Sequence, residues 1–358
     1  MENIDKHLIF LPVCIIVKGY ERSVILDIQR AILDFVPNDV YDMFQKYNKH
    51  KIGDILLNYN NEEQKIVMEY IDFLTQNEYA ILGTKHDVEH ISDMSLNYNF
   101  CGKITNCICE YSEFTQKHIC RILSIIDAKL ACSAMQIVCD KQITIKELSM
   151  FLENFKDITY LNHLEIILPY SPEYFDKNLE KLLWNNLIIN RLIFYSAPFD
   201  DVKDLRHTFV VYLRENLKNK RCGIVDKSYF AQNIFHITEA LHHNTCLNKK
   251  LFIDKNGNIK NCPFSETVFG NILNDDSDKI ITTLPFTKYW NIRKDEIEVC
   301  KDCEFRYICT DCRVFIKDSN NIYSQPANCH YNPYIAKWKG EEGYITVEEW
   351  LYKTNQHL

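Results

Sequence analysis

The sequence predicts an α/β protein in three parts with a closing helix, spanning residues 1–90, 91–240, 241–340 and 341–358. Three observations lead there. Strand patterns precede and follow three helix patterns in the first part. Strand and helix patterns then alternate, as parallel βα units do. After Thr245 the periodic apolar pattern fades and cysteines crowd in its place.

In the first part, Leu8–Lys18, Ser23–Asp27 and Arg30–Phe35 read as strands. Pro37-Asn38-Asp39 breaks the chain. Asp39 is expected to cap a helix that sets Val40, Met43, Phe44 and Tyr47 on one face. A second helix fits Ile52–Asn58. A third fits Glu62–Gln76, with Ile66, Val67, Tyr70 and Leu74 as its apolar stripe, and Tyr79–Leu82 closes as a strand. This order is that of a winged helix. Many winged helices read DNA, but Asn38–Asn77 carries four lysines against seven acidic residues and no arginine to reach guanine. The whole chain has 49 acidic and 41 basic side chains, a net charge of −8, which disfavours nucleic acid as a partner. A peptide that adds a strand to a sheet edge is compatible with that charge.

The middle part alternates strands and helices: Ile104–Glu110, Ser112–Lys129, Met135–Cys139, Thr144–Phe155, His163–Leu168, Glu173–Trp184 and Arg191–Tyr195, with Gly223–Asp226 as a fifth strand. A parallel sheet follows, too short for a complete eight-fold barrel. It fits a partial (β/α) barrel or a small open sheet. Near the end, Thr346 and Glu349 stand at capping-box spacing before a helix over Val347–Lys353.

No stretch approaches the ~20 apolar residues that span a bilayer, so no membrane partner is expected. The opening Met1-Glu2-Asn3-Ile4-Asp5-Lys6 lacks the features of a secretory signal, and a cytoplasmic location is expected. In reducing cytosol, 15 cysteines point to metal rather than to a disulfide framework, while only nine glycines argue against a glycine-cradled nucleotide. Cys14, Cys107 and Cys139 lie in apolar strands and read as small core residues.

The seven late cysteines are spaced as a set. Cys246 and Cys262 flank Lys255-Asn256-Gly257-Asn258, a hairpin turn that needs positive φ at glycine. Cys300, Cys303, Cys309 and Cys312 follow at x2, x5 and x2 spacing, then Cys329. Two thiolates at x2 spacing can grip one centre from a tight turn. Zinc takes four ligands and would strand three of these thiols. Two iron–sulfur clusters use seven or eight, so two [4Fe–4S] clusters are expected, one of them with three cysteines. The remaining position is open to a histidine, a carboxylate or nothing, with His242 and His243 as candidates.

This pattern resembles the SPASM domain, which carries two auxiliary clusters at the C-terminus of radical SAM peptide maturases. Cys262-Pro263 and the Cys303–Cys309 word are also similar to that family; the x2 gap before Cys312 departs from its usual x3. The resemblance implies that Cys300, Cys303, Cys309 and Cys329 hold one cluster and that Cys246, Cys262 and Cys312 hold the other. It also implies that the middle part is a partial barrel of radical SAM type.

Radical SAM enzymes bind a further cluster through Cys-x3-Cys-x2-Cys. Here the corresponding residues are Cys101, Cys107 and Cys109, at x5 and x1. At x1 on a strand, Cys107 and Cys109 share a face about 7 Å apart. The glycine-rich word expected after the second strand is replaced by Asp140-Lys141-Gln142. S-adenosylmethionine binding is therefore doubtful, and whether the chain is an enzyme is left open. The combination, with Gly102-Lys103-Ile104-Thr105-Asn106 opening the first strand, resembles the SPASM proteins of grasp-with-spasm peptide clusters. That resemblance implies a role in ribosomal peptide maturation, with a precursor (leader) peptide and an ATP-grasp ligase as partners. The leader would lie along Ala31–Phe35 and the Ile66–Tyr70 face. The alternatives are an active radical SAM enzyme whose first cluster uses Cys101, Cys107 and Cys109, and a zinc-stabilised interaction protein.

Overall fold

A computed structural model describes residues 3–175, 177–205, 207–216 and 222–355. The chain divides into two compact units. The first comprises Met1–Tyr98, Gly223–Thr245 and Ile292–Leu358; the second comprises Asn99–Cys222 and Cys246–Asn291.

In the first unit, β1 (His7–Phe10) pairs antiparallel with β5 (Ala80–Gly83), and β2 (Cys14–Lys18), β3 (Ser23–Asp27) and β4 (Ile32–Val36) form a three-stranded antiparallel sheet. The long apolar run Leu8–Lys18 is thus two strands, divided at Leu11–Val13 where Pro12 lacks a donor for a ladder. Every residue of β3 is buried, because its two faces serve two cores. Cys14, Ile16 and Ile25 face the helices, whereas Val17, Val24 and Leu26 pack on Ile308, Cys309 and Tyr331 of the C-terminal segment. Alternation along the strands produces both faces at once. Each fully buried aliphatic side chain contributes roughly 1.5–3 kcal/mol.

Between β4 and β5 lie α1 (Asn38–Tyr47), α2 (Ile52–Leu56) and α3 (Asn61–Gln76). Asp39 falls in the first turn of α1 rather than at its cap, which is Pro37. The Asn38 side chain is taken up by Ser23 Oγ and the Tyr20 carbonyl. On α3 the buried stripe is Val67, Ile71 and Leu74. It is rotated from the expected one, and Ile66 is left half exposed. Asn60 and Glu63 close a capping box there, satisfying the first amides of the helix. A short α4 (Lys85–His90) follows β5.

The second unit contains a nine-stranded mixed sheet, counted among the described residues. At its centre, β6 (Asn106–Tyr111), β7 (Ala134–Cys139), β8 (His163–Pro169) and β9 (Ile189–Tyr195) run parallel. The connecting helices are α5 (Glu113–Leu123), α6 (Ile145–Leu152) and α7 (Lys177–Trp184). The helix expected over Ser112–Lys129 is α-helical only to Leu123 and continues as a π-turn over Ser124–Lys129. The sheet extends through the hairpin β10 (Asp201–Leu205) and β11 (Thr208–Leu213), of which β11 lies parallel to β9.

The expected fifth strand takes another partner. β12 (Ile224–Val225) belongs to the first unit and pairs with Asn328–Cys329, ahead of α8 (Ile234–His242). On the other side of the sheet, β13 (Lys250–Ile253) is parallel to β6 and turns back into β14 (Asn258–Lys260). Gly257 makes that turn with φ +81°, and a Cβ there would lie 2.3 Å from the Phe114 ring. Thr346 and Glu349 cap the C-terminal helix Val347–Asn355 as their spacing requires. Among the described residues, no helix is long and apolar enough to cross a membrane.

Candidate metal centre

The C-terminal segment of the first unit has little regular structure, and its cysteines are placed by turns. Val299 adopts φ +67° before a single 3-10 turn over Cys300–Asp302. The Cys303 amide donates to the Cys300 carbonyl at 3.0 Å, and the Cys309 amide donates to the Phe305 carbonyl at 3.1 Å. The pairing of Val225 with Cys329 delivers the fourth thiol. Cys300, Cys303, Cys309 and Cys329 thereby line one cavity, together with Lys294, Arg306 and the rings of Phe230, Phe305, Tyr331 and Trp338. The cavity measures about 20 Å³.

Among the described residues, no group of three or more His, Cys, Asp or Glu is placed to hold a metal ion. Four cysteines around one cavity nevertheless supply the donor set of an iron–sulfur cluster, whose usual ligand is thiolate. Burial pushes the thiols of Cys300, Cys303 and Cys329 up from their ordinary range. Metal must displace those protons, so binding here is coupled to proton release.

The remaining three cysteines fall in different units. Cys246 and Cys262 are in the second, and Cys312 is in the first. Cys262 follows β14 and is buried, and it receives the Phe264 amide on its sulfur at 3.5 Å. A hydrogen bond with the Cys222 side chain brings the Cys262 thiol down to about 7 against the opposing effect of burial. Cys312 is buried and accepts the Phe315 amide at 3.3 Å. Cys222 escapes sequence reasoning because it stands far from the spaced set. Its one signal is the adjacent Gly223, whose φ is +78° and whose missing Cβ would lie 3.2 Å from the Cys312 sulfur.

His242 ends α8 with Nδ1 at 2.9 Å from the Thr238 carbonyl, and His243 packs edge-on to Tyr98. Cys107 and Cys109 are buried in the core of the second unit, as small apolar residues are, while Cys101 is exposed. Burial pushes Cys109 up to about 12.

One comparison with known proteins bears on this segment. Residues 245–304 match the SPASM family, an iron-sulfur cluster-binding domain. The SPASM match includes Cys246, Cys262, Cys300 and Cys303 and stops short of Cys309, Cys312 and Cys329. No curated protein matches the chain. Among solved structures, Streptococcus suis SuiB bound to S-adenosylmethionine is 11% identical, with 90% of this chain and 99% of that chain covered at a TM-score of 0.33. SuiB bound to the precursor peptide SuiA is also 11% identical, with 89% and 98% covered at a TM-score of 0.32.

Proposed function

We propose that this chain is an iron–sulfur protein of ribosomal peptide maturation. It holds two [4Fe–4S] clusters, one of them on Cys300, Cys303, Cys309 and Cys329. It recognises a precursor peptide and presents it to an ATP-grasp ligase, without cleaving S-adenosylmethionine. The observation that carries this reading is the cavity lined by four cysteines, two of which lie in the segment that matches an iron–sulfur family. In this reading Cys107 and Cys109 serve as core residues of the second unit rather than as ligands, and Cys101 is exposed.

Residues 1–90 act in this reading as a winged-helix leader-recognition domain. β4 is an edge of its sheet among the described residues. Ala31, Leu33 and Phe35 line a cleft of about 560 Å³ with Phe230 and Phe305. An extended peptide on that edge gains main-chain hydrogen bonds, and the cleft accepts alternate side chains. Ile66 and Tyr70 line a separate groove with α1, so the leader is assigned to the β4 cleft.

Anaerobic iron and sulfide analysis tests the cluster reading. About eight irons per chain are expected at four per cluster, and zinc without iron would overturn it. About twelve irons, with 5′-deoxyadenosine formed on reduction in the presence of S-adenosylmethionine, would favour the radical enzyme instead. Binding of the full chain to a leader peptide at tens of micromolar or tighter tests the recognition role.

A further inference from the structure

Lys294 is buried in the wall of the four-cysteine cavity, 5% exposed. Its Nζ donates to the Thr310 carbonyl at 3.1 Å and reaches the Cys309 side chain. Among the described residues, no carboxylate lies within ion-pair distance of it. Asp311, buried close by, is paired with Arg313 at 2.6 Å and accepts from Asn244 at 2.6 Å. Lys294 and Arg313 are thus two buried cations beside the one anion Asp311, and the buried Glu304 behind Cys303 is paired with Arg22. A buried ammonium facing neutral thiols is strongly disfavoured, and a carbonyl dipole offsets only part of the cost. The cavity is thus built for an anion. Four thiolates around an oxidised [4Fe–4S] core carry two negative charges, and the reduced form carries three.

We infer that Lys294 is a positioning residue that sets the reduction potential of the cluster held by Cys300, Cys303, Cys309 and Cys329. The inference rests on the cluster reading above. An ammonium fixed in a dry wall attracts the trianion more than the dianion, because the interaction scales with the charge and is weakly screened there. It therefore raises the potential, one of the ways in which charge around a cluster is tuned. The couple takes one electron from an external reductant and transfers no proton. A lysine in sequence reads as surface; only the fold turns this one inward.

The test is an EPR-monitored redox titration of the full chain, purified without oxygen and reduced with dithionite. Lys294→Met should lower one midpoint by at least ~59 mV, a tenfold change in a one-electron equilibrium, and leave the other cluster's midpoint in place. Lys294→Arg should stay near wild type. Asp311→Asn, which removes the nearby anion, should shift the same midpoint upward. Unchanged midpoints in an iron-loaded Lys294→Met protein overturn the inference. If that variant does not load, an unmoved midpoint in Asp311→Asn overturns it. An iron-free wild-type chain would instead defeat the cluster reading itself.

Discussion

Arg22 Nε donates to Glu304 Oε1 at 2.9 Å, joining the β2–β3 hairpin to the residue that follows Cys303. The Glu304 side chain is 1% exposed, and its carboxylate also accepts the Tyr331 hydroxyl at 2.5 Å. Arg306 adds a second tie from the same segment to the Lys18 carbonyl. The hairpin is therefore part of the wall behind the cysteine cavity, and β3 is buried on both faces for this reason.

The pair predicts an asymmetry. Arg22→Ala leaves a buried carboxylate without its cation and should cost roughly 2–4 kcal/mol, somewhat under the cost of breaking a fully buried pair because Arg22 is partly exposed. Glu304→Gln keeps an acceptor for both donors and removes only the negative charge, so it should cost roughly 1–2 kcal/mol. Urea unfolding of the two variants, followed by circular dichroism, checks the order; equal costs would contradict it.

Acid stability should depend on Asp27. Its carboxylate accepts the amides of Gln29 and Arg30 and the Arg30 guanidinium. Burial opposes its charge, but these bonds outweigh that and hold the carboxyl below its ordinary 3.8. The unfolded chain therefore binds this proton more readily than the folded one. The stabilisation is present above the unfolded value and is lost as pH falls through the folded one. Asp27→Asn should flatten this loss below about pH 4. Comparing thermal midpoints of both proteins across that range isolates the effect, since acid damage to clusters is common to them.

Cysteine replacements should separate cluster from core. Cys300→Ala should lose about four irons per chain and should reduce solubility, because thiolate ligation supports a segment that has few regular elements. Cys107→Ala should keep its iron and lose only ~1–2 kcal/mol for a small cavity. Iron lost from the Cys107 variant would revive the radical enzyme.

What the sequence made legible follows from range. The x2 turn at Cys300–Cys303, the glycine turn at Gly257 and the cap at Thr346 are local, and each was readable from neighbouring residues. The parallel order of β6 to β9 follows from alternation. Pairing of Val225 with Cys329 spans about a hundred residues, and nothing nearby announces it. The burial of Lys294 and the Cys222–Cys262 contact depend on that kind of long-range closure. On α3 Val67 and Leu74 are buried as their spacing predicts, but Ile66 is apolar yet half exposed and Tyr70 only part-buried, and hydropathy alone cannot distinguish a core from a groove.

Peptide recognition should fail from one side only. Leu33 is half-buried in the β4 cleft, where an aspartate would oppose both the apolar wall and an incoming strand. Leu33→Asp should weaken leader binding at least tenfold, whereas Ile66→Ala, in the α1–α3 groove, should change it less than twofold. Phe305 borders both the cleft and the cysteine cavity. Peptide bound on β4 presses on that ring, so leader addition should also perturb the EPR signal of the adjacent cluster in the wild type and not in Leu33→Asp. Fluorescence anisotropy with a labelled leader reads the first effect and EPR the second. Equal losses from Leu33→Asp and Ile66→Ala would move the leader off the strand edge and onto the helices.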